Sequence, residues 1–250
     1  LNQYDVASGD LIKTVLEEQD DKYVEPVHPI LFSKIDPEKF YYQSRRDGWN
    51  HVYQCTVKEG IVVQITKGNW EVTEFAGFDA IEENMFFEAT KESPIERHFY
   101  RINLRSGKTD KLTAEPGTHS CTLSPNQQNI LDRWTSTNIP GQLDFISLKK
   151  GGKQVVFEAI NTLKEFDLGE NTVFTIKAAD GSTDLYCRMI KPNNFDPAKK
   201  YPIIVYVYGG PHAQLVNKTW QNDARWWQYY IASKGDIAFT VDSRGSEERG

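Results

Sequence analysis

Sulfur is scarce in this chain. Its 250 residues hold three cysteines, Cys55, Cys121 and Cys187. They lie far apart, form no Cys-x-x-Cys pair and are odd in number, which indicates neither a zinc site nor a dense disulfide framework. Buried free thiols are expected instead. The histidines, His28, His51, His98, His119 and His212, show no metal-ligand spacing, so no metal and no cofactor is expected. Long apolar runs are missing too. The longest, around Ile203 to Val207, falls far short of the roughly 20 residues of a membrane-spanning helix. Positive charge is not in excess: 29 Lys and Arg against 35 Asp and Glu give a net charge of −6, with both signs interspersed. Without a basic stripe to neutralise phosphates, nucleic acid is not an expected partner. The polar segment from Leu1 has no charged region followed by an apolar one, so no secretory signal is visible. A start at Leu rather than Met reads as a processed or cut chain. Asn217-Lys218-Thr219 matches a glycosylation sequon, a triplet too common to carry weight alone.

Aromatic residues are plentiful, at 12%, and they recur in order. Phe40-Tyr-Tyr-Gln-Ser-Arg-Arg-Asp-Gly48 followed by Val52 to Val57 reads as a hairpin. Met85 to Lys91 followed by Phe99 to Leu104, and Asn129 to Thr135 followed by Leu143 to Leu148, repeat it at a period of about 45 residues. Ser8-Gly9, Glu59-Gly60, Ser106-Gly107 and Gly151-Gly152 mark successive turns, and the segments starting at Gln64 and Lys111 are expected to begin the last strand of each unit. Such a period with four short strands per unit signals β-propeller blades, which bury faces that no single blade can cover. A generic antiparallel sandwich is the competing reading. Three to four blades fit, and more are expected before Leu1. Trp49, Trp70 and Trp134 then read as packing residues between blades.

From about Phe166 the pattern changes. Thr172 to Lys177 and Asp184 to Ile190 form a hairpin around Asp180-Gly181. Ile203 to Tyr208 is continuously apolar, as in a strand covered on both faces. Trp220, Ala224, Trp227 and Ile231 share a helical face, and Gly235 supplies a left-handed stop. Ile237 to Asp242 is another strand with its polar end at the carboxyl edge. Hairpin, strand, crossover helix and strand make the opening of an α/β-hydrolase sheet. The expected fold is therefore a partial β-propeller, residues 1–165, followed by the first part of an α/β-hydrolase domain, residues 166–250. In such a domain Tyr208-Gly209-Gly210-Pro211 is placed to form an oxyanion-stabilising loop, since glycines let backbone approach a reacting carbonyl.

Several motifs in register carry a resemblance. Trp49-Asn-His-Val-Tyr53, Thr66-Lys-Gly-Asn-Trp-Glu-Val72, Lys91 to His98, Glu115-Pro-Gly-Thr-His119, Phe174 to Gly181 and Val205 to Gln214 resemble a bacterial dipeptidyl peptidase IV-like member of the prolyl oligopeptidase family. The resemblance implies a serine exopeptidase releasing N-terminal dipeptides with Pro, or less well Ala, at the second position. It also implies that the Tyr208 hydroxyl enters the oxyanion hole, with Gly209, Gly210 and Pro211 forming the substrate loop. A periplasmic, envelope or secreted location follows from the resemblance alone, and a homodimer is compatible with it.

The family's Gly-x-Ser-x-Gly elbow, with its later Asp and His, does not occur in the required context. The nucleophile is therefore expected beyond Gly250, and the chain by itself is expected to be inactive. Ser243 and Ser246 read as loop residues. Glu17-Glu18 and Glu82-Glu83 imitate the family's ammonium-binding pair but lack its flanking residues, so they read as surface. His212 reads as a loop-packing residue, and Asp242 with Arg244 as loop-orienting residues or a structural ion pair. Two alternatives stay open: another specificity on this scaffold, such as a prolyl tripeptidase or acylaminoacyl peptidase, and a non-catalytic propeller that binds peptides or proteins.

Overall fold

The computed structural model describes residues 1–22, 24–26 and 28–249. The chain divides into two compact units, Leu1–Ala89 with Tyr100–Asp110, and Thr90–Phe99 with Lys111–Arg249.

In the first unit β1 (Asn2–Tyr4) pairs with β2 (Leu11–Thr14). Strands β3 (Leu31–Phe32), β4 (Lys39–Ser44), β5 (His51–Thr56) and β6 (Val62–Gln64) form an antiparallel meander in sequential order. Strands β7 (Val72–Phe78), β8 (Asn84–Ala89), β9 (His98–Asn103) and β10 (Thr109–Lys111) repeat that order, and most of their residues belong to this unit. Gly60 and Gly107 adopt φ of +65° and +71°, and their N–H groups close the turns on the carbonyls of Thr56 and Asn103. The core gathers Tyr41, Val52, Val72, Met85, Phe87, Ala89, Tyr100 and Ile102. Phe87 stacks with its ring centroid 6.0 Å from Trp70 and 5.5 Å from Tyr100, so Trp70 is a packing residue. Full burial of a ring of this size contributes about 2–3 kcal/mol.

A polar latch recurs inside the four-stranded meanders. His51 is fully buried, with Nδ1 3.0 Å from Thr66 Oγ1 and Nε2 2.9 Å from the Gly68 carbonyl. A carbonyl only accepts, so Nε2 carries the proton; the Thr66 hydroxyl donates to Nδ1 while accepting the Val52 N–H at 3.0 Å. The sequence reading made Gln64 and Lys111 the start of strands. Instead β6 and β10 end at those residues, His51 and His98 open strands, and the threonines that follow serve as their partners.

The second unit starts with Thr90–Phe99 and continues through a third meander, β11 (Thr118–Leu123), β12 (Asn129–Ser136), β13 (Ile139–Ser147) and β14 (Lys153–Glu158). His98 repeats the latch 47 residues after His51: Nδ1 lies 3.0 Å from Thr113 Oγ1, which also accepts the Phe99 N–H at 3.2 Å. In the last meander Asp132 replaces the threonine, 2.8 Å from His119 Nδ1, and Trp134 stacks on His119 with centroids 5.4 Å apart.

A mixed sheet follows in the order β15 (Asn171–Lys177), β16 (Asp184–Ile190), β18 (Ile237–Val241), β17 (Ile203–Tyr206). The pairs β15–β16 and β16–β18 are antiparallel, and β17–β18 is parallel. Helix α1 (Trp226–Ser233) makes the crossover and packs Tyr229 and Ala232 on Ile190 and Ala238. One expectation is corrected here. Helix α1 starts only at Trp226, because Gln221, Asn222 and Asp223 turn left-handed, with φ of 55°, 53° and 61°. Its buried face is Gln228, Tyr229 and Ala232, with Trp226 and Trp227 outward. Strand β17 is the last in the strand order that these residues form. Cys55 and Cys187 are buried thiols, and burial raises the Cys187 thiol to about 11.

Candidate functional site

The parallel register of β17 and β18, from Ile203↔Ile237 to Tyr206↔Thr240, brings both carboxyl ends to one edge of the sheet. Crevices at such edges are where open α/β sheets bind ligands. Tyr208 stands there 50% exposed, two residues past the end of β17. Gly210 explains its pose. A Cβ at that position would lie 3.1 Å from Tyr208 Cε1 and 3.2 Å from its Cζ and Oη, so a larger residue would shift the ring by a few tenths of an ångström from its place over this backbone. Gly209 and Pro211 complete the exposed segment. His212 has φ of 60° and holds Nδ1 3.5 Å from Glu247.

Beyond His212 the loop is tied down from two sides of the second unit. On the sheet side Asp242, 2% exposed at the end of β18, accepts the N–H groups of Leu215 and Val216, one on each oxygen at 2.9 Å. Burial pushes the Asp242 carboxyl above the ordinary carboxylate value, against the pull of those amides and of Arg188. Arg188, 1% exposed, donates to the Leu215 carbonyl at 2.8 Å, to the Asn222 carbonyl, to Gln228 Oε1 at 3.0 Å and to Thr240 Oγ1 at 3.2 Å. On the blade side Gln214 donates to the Pro94 carbonyl at 2.8 Å and accepts from Arg97 at 2.7 Å. The Lys218 N–H reaches the Ile95 carbonyl, and its ammonium lies 2.8 Å from Glu96. Glu96 also accepts from His98 Nε2 at 3.0 Å. Burial pushes the Glu96 carboxyl up, but the hydrogen bonds from His98 and Lys218 outweigh it and bring the pKa down to about 2. The left-handed Asn222 is held by the Thr137 hydroxyl at 2.6 Å and by Asn171 at 3.3 Å. Such contacts are needed where non-glycine residues hold positive φ.

Other candidates fall elsewhere. Arg244 pairs with Asp180 at 3.1 Å in the exposed hairpin turn, and Asp242 is a loop anchor. Ser243 and Ser246 belong to one turn, closed by the Ser246 N–H on the Ser243 carbonyl. In the first unit Glu18 pairs with Arg46, and Glu82 caps the Ser33–Lys34 turn, 2.6 Å from the Lys34 N–H. Among the described residues no group of three or more His, Cys, Asp or Glu could hold a metal ion, and no helix is long and apolar enough to cross a membrane. Sequence reasoning missed Arg188 and Glu96. A lone charge inside the apolar run Leu185–Ile190 was the available signal for Arg188; nothing in the sequence linked Glu96 to Lys218, 122 residues later.

Residues 1–141 match the dipeptidyl peptidase IV (DPP IV) N-terminal region. Among solved structures, a candidate dipeptidyl aminopeptidase IV from Bacteroides ovatus is 39% identical, with a TM-score of 0.92 covering 100% of this chain and 38% of that one. Dipeptidyl peptidase 4 of Porphyromonas gingivalis is 28% identical, with a TM-score of 0.84 covering 94% of this chain and 33% of its own. A probable dipeptidyl peptidase 4 of Aspergillus fumigatus is 32% identical over 233 residues, 90% of this chain and 30% of that protein. Human dipeptidyl peptidase 8 is 29% identical over 213 residues, 79% of this chain and 23% of that protein. The chain thus spans less than a third of the length of these curated relatives.

Proposed function

Because the chain belongs to the dipeptidyl peptidase IV family, we propose that the full-length gene product is a serine-type dipeptidyl peptidase acting on peptides with Pro or Ala at the second position. In this reading residues 1–165 are propeller blades and residues 166–250 open an α/β-hydrolase domain. The nucleophilic serine and its Asp and His partners come from sequence outside these 250 residues. Attack on the scissile carbonyl concentrates negative charge on one oxygen, and a preorganised donor aimed there is worth about 3–4 kcal/mol of barrier. Tyr208 supplies that donor, and Gly209, Gly210 and Pro211 line the approach. The observation that carries the reading is the half-exposed Tyr208 ring, resting over Gly210 at the carboxyl edge of the sheet on a loop fastened at Gln214–Lys218.

Tyr208→Phe in the full-length protein tests it. With a Gly-Pro amide as substrate, kcat should fall by about two to three orders of magnitude while the melting temperature stays within about 2 °C. Wild-type kcat in this variant would remove Tyr208 from the chemistry.

A further inference from the structure

Two buried opposite charges meet on a single peptide group. The Leu215 carbonyl accepts from Arg188 at 2.8 Å, and the N–H of the same peptide, that of Val216, donates to Asp242 at 2.9 Å. The Leu215 N–H donates to the other Asp242 oxygen at 2.9 Å. The guanidinium and the carboxylate thus lie at the two ends of one peptide dipole, each favouring the orientation the other requires. Arg188 is set for this by the antiparallel ladder, where it stands opposite Thr240, two residues before Asp242. Burying two charges costs several kcal/mol each unless their hydrogen bonds are met, and apolar residues often replace buried ion pairs without loss of stability. A requirement on position accounts for keeping these two charges, and the position they fix is seven residues past Tyr208.

We propose that Asp242 and Arg188 are positioning residues of the proposed oxyanion loop: by gripping the Leu215–Val216 peptide they set the fixed point from which Tyr208 is presented. The inference rests on the reading of Tyr208 given above. Tyr208, Gly209 and Pro211 are exposed, whereas Val216 is fully buried, so the loop changes from presented to fastened within a few residues. Releasing the grip lets the fastened end move, and a hydroxyl displaced by about 1 Å loses much of its effect on a developing oxyanion.

The test is a cycle of four full-length proteins: wild type, Tyr208→Phe, Asp242→Asn and the double variant, assayed on Gly-Pro-p-nitroanilide. Asparagine keeps one acceptor oxygen and loses the second. Asp242→Asn should lower kcat about 10- to 100-fold with KM within about threefold. In the Tyr208→Phe background the same change should cost less than about threefold, because its effect runs through the missing hydroxyl. If the two losses multiply, or only KM moves, Asp242 does not act through Tyr208 and the proposal falls alone. If Tyr208→Phe retains wild-type kcat, the reading of Tyr208 falls and takes the proposal with it. Should Asp242→Asn fail to fold, hydrogen exchange on the native protein decides. The amides of Leu215 and Val216 should exchange as slowly as those of β16 and β18; exchange at open-loop rates overturns the proposed grip.

Discussion

Changing Glu96 to Gln should weaken the protein in a way that depends on pH. The Glu96 carboxylate joins a latch histidine, His98, to Lys218 on the loop, and its pKa of about 2 lies below the ordinary 4.5. A depressed carboxylate stabilises the folded state above its unfolded pKa and loses that contribution as pH falls through its folded one. The difference corresponds to an upper bound of about 3 kcal/mol at pH 7, about 2 kcal/mol at pH 3.5 and under about 1 kcal/mol near pH 2.5. Glutamine keeps one acceptor but no charge and does not titrate. The stability gap between wild type and Glu96→Gln should therefore be largest from pH 7 to 4.5 and narrow by about 1 kcal/mol between pH 4.5 and 3.5. That window lies below the range in which free imidazoles titrate. Urea unfolding followed by tryptophan fluorescence at pH 7, 4.5 and 3.5 measures the gap. A gap that is constant across these values, or absent at pH 7, refutes the assignment of the carboxylate as the charged link.

Two further substitutions probe the loop and the latch. Gly210→Ala places a methyl group 3.1–3.2 Å from the Tyr208 ring and must push it aside; kcat should drop about 5- to 20-fold with stability nearly unchanged, and wild-type kcat would show that the ring pose is unimportant. Thr113→Val removes the hydroxyl that meets the buried His98 Nδ1 and the Phe99 N–H. It should cost about 2–4 kcal/mol in urea unfolding, while Thr113→Ser should cost less than about 1 kcal/mol; a loss for Thr113→Val no larger than that for Thr113→Ser would show that the hydroxyl is not what holds the latch.

The hairpins were legible because each is local: β4 with β5, β8 with β9 and β12 with β13 pair residues close in sequence, and their aromatic runs recur at one period. The latches were not legible. His51 and His98 read only as histidines without metal-ligand spacing; their burial depends on Thr66 and Thr113, and a lone threonine after a strand carries no signal of its own. Helix α1 was overextended because the spacing of Trp220 and Ala224 fits 3.6 residues per turn, while the side-chain bonds that hold Asn222 left-handed come from Thr137 and Asn171, far away in sequence. The same limit hid Arg188 and Glu96, whose partners become neighbours only when the sheet and the blade have formed.

The ties on the tyrosine loop also set an order of assembly. Each His–Thr latch closes over only 15 residues, His51 to Thr66 and His98 to Thr113, so its loop-closure cost is small. Gln214 and Lys218, by contrast, reach back 120 and 122 residues to Pro94 and Glu96, and Leu215 reaches forward 27 to Asp242. On a ribosome, blade latches can therefore close as soon as they emerge, while the loop bearing Tyr208 lacks its forward anchor until Asp242 has been synthesised and has left the exit tunnel. A nascent chain thus closes its His–Thr latches well before the loop bearing Tyr208 is fastened from both sides.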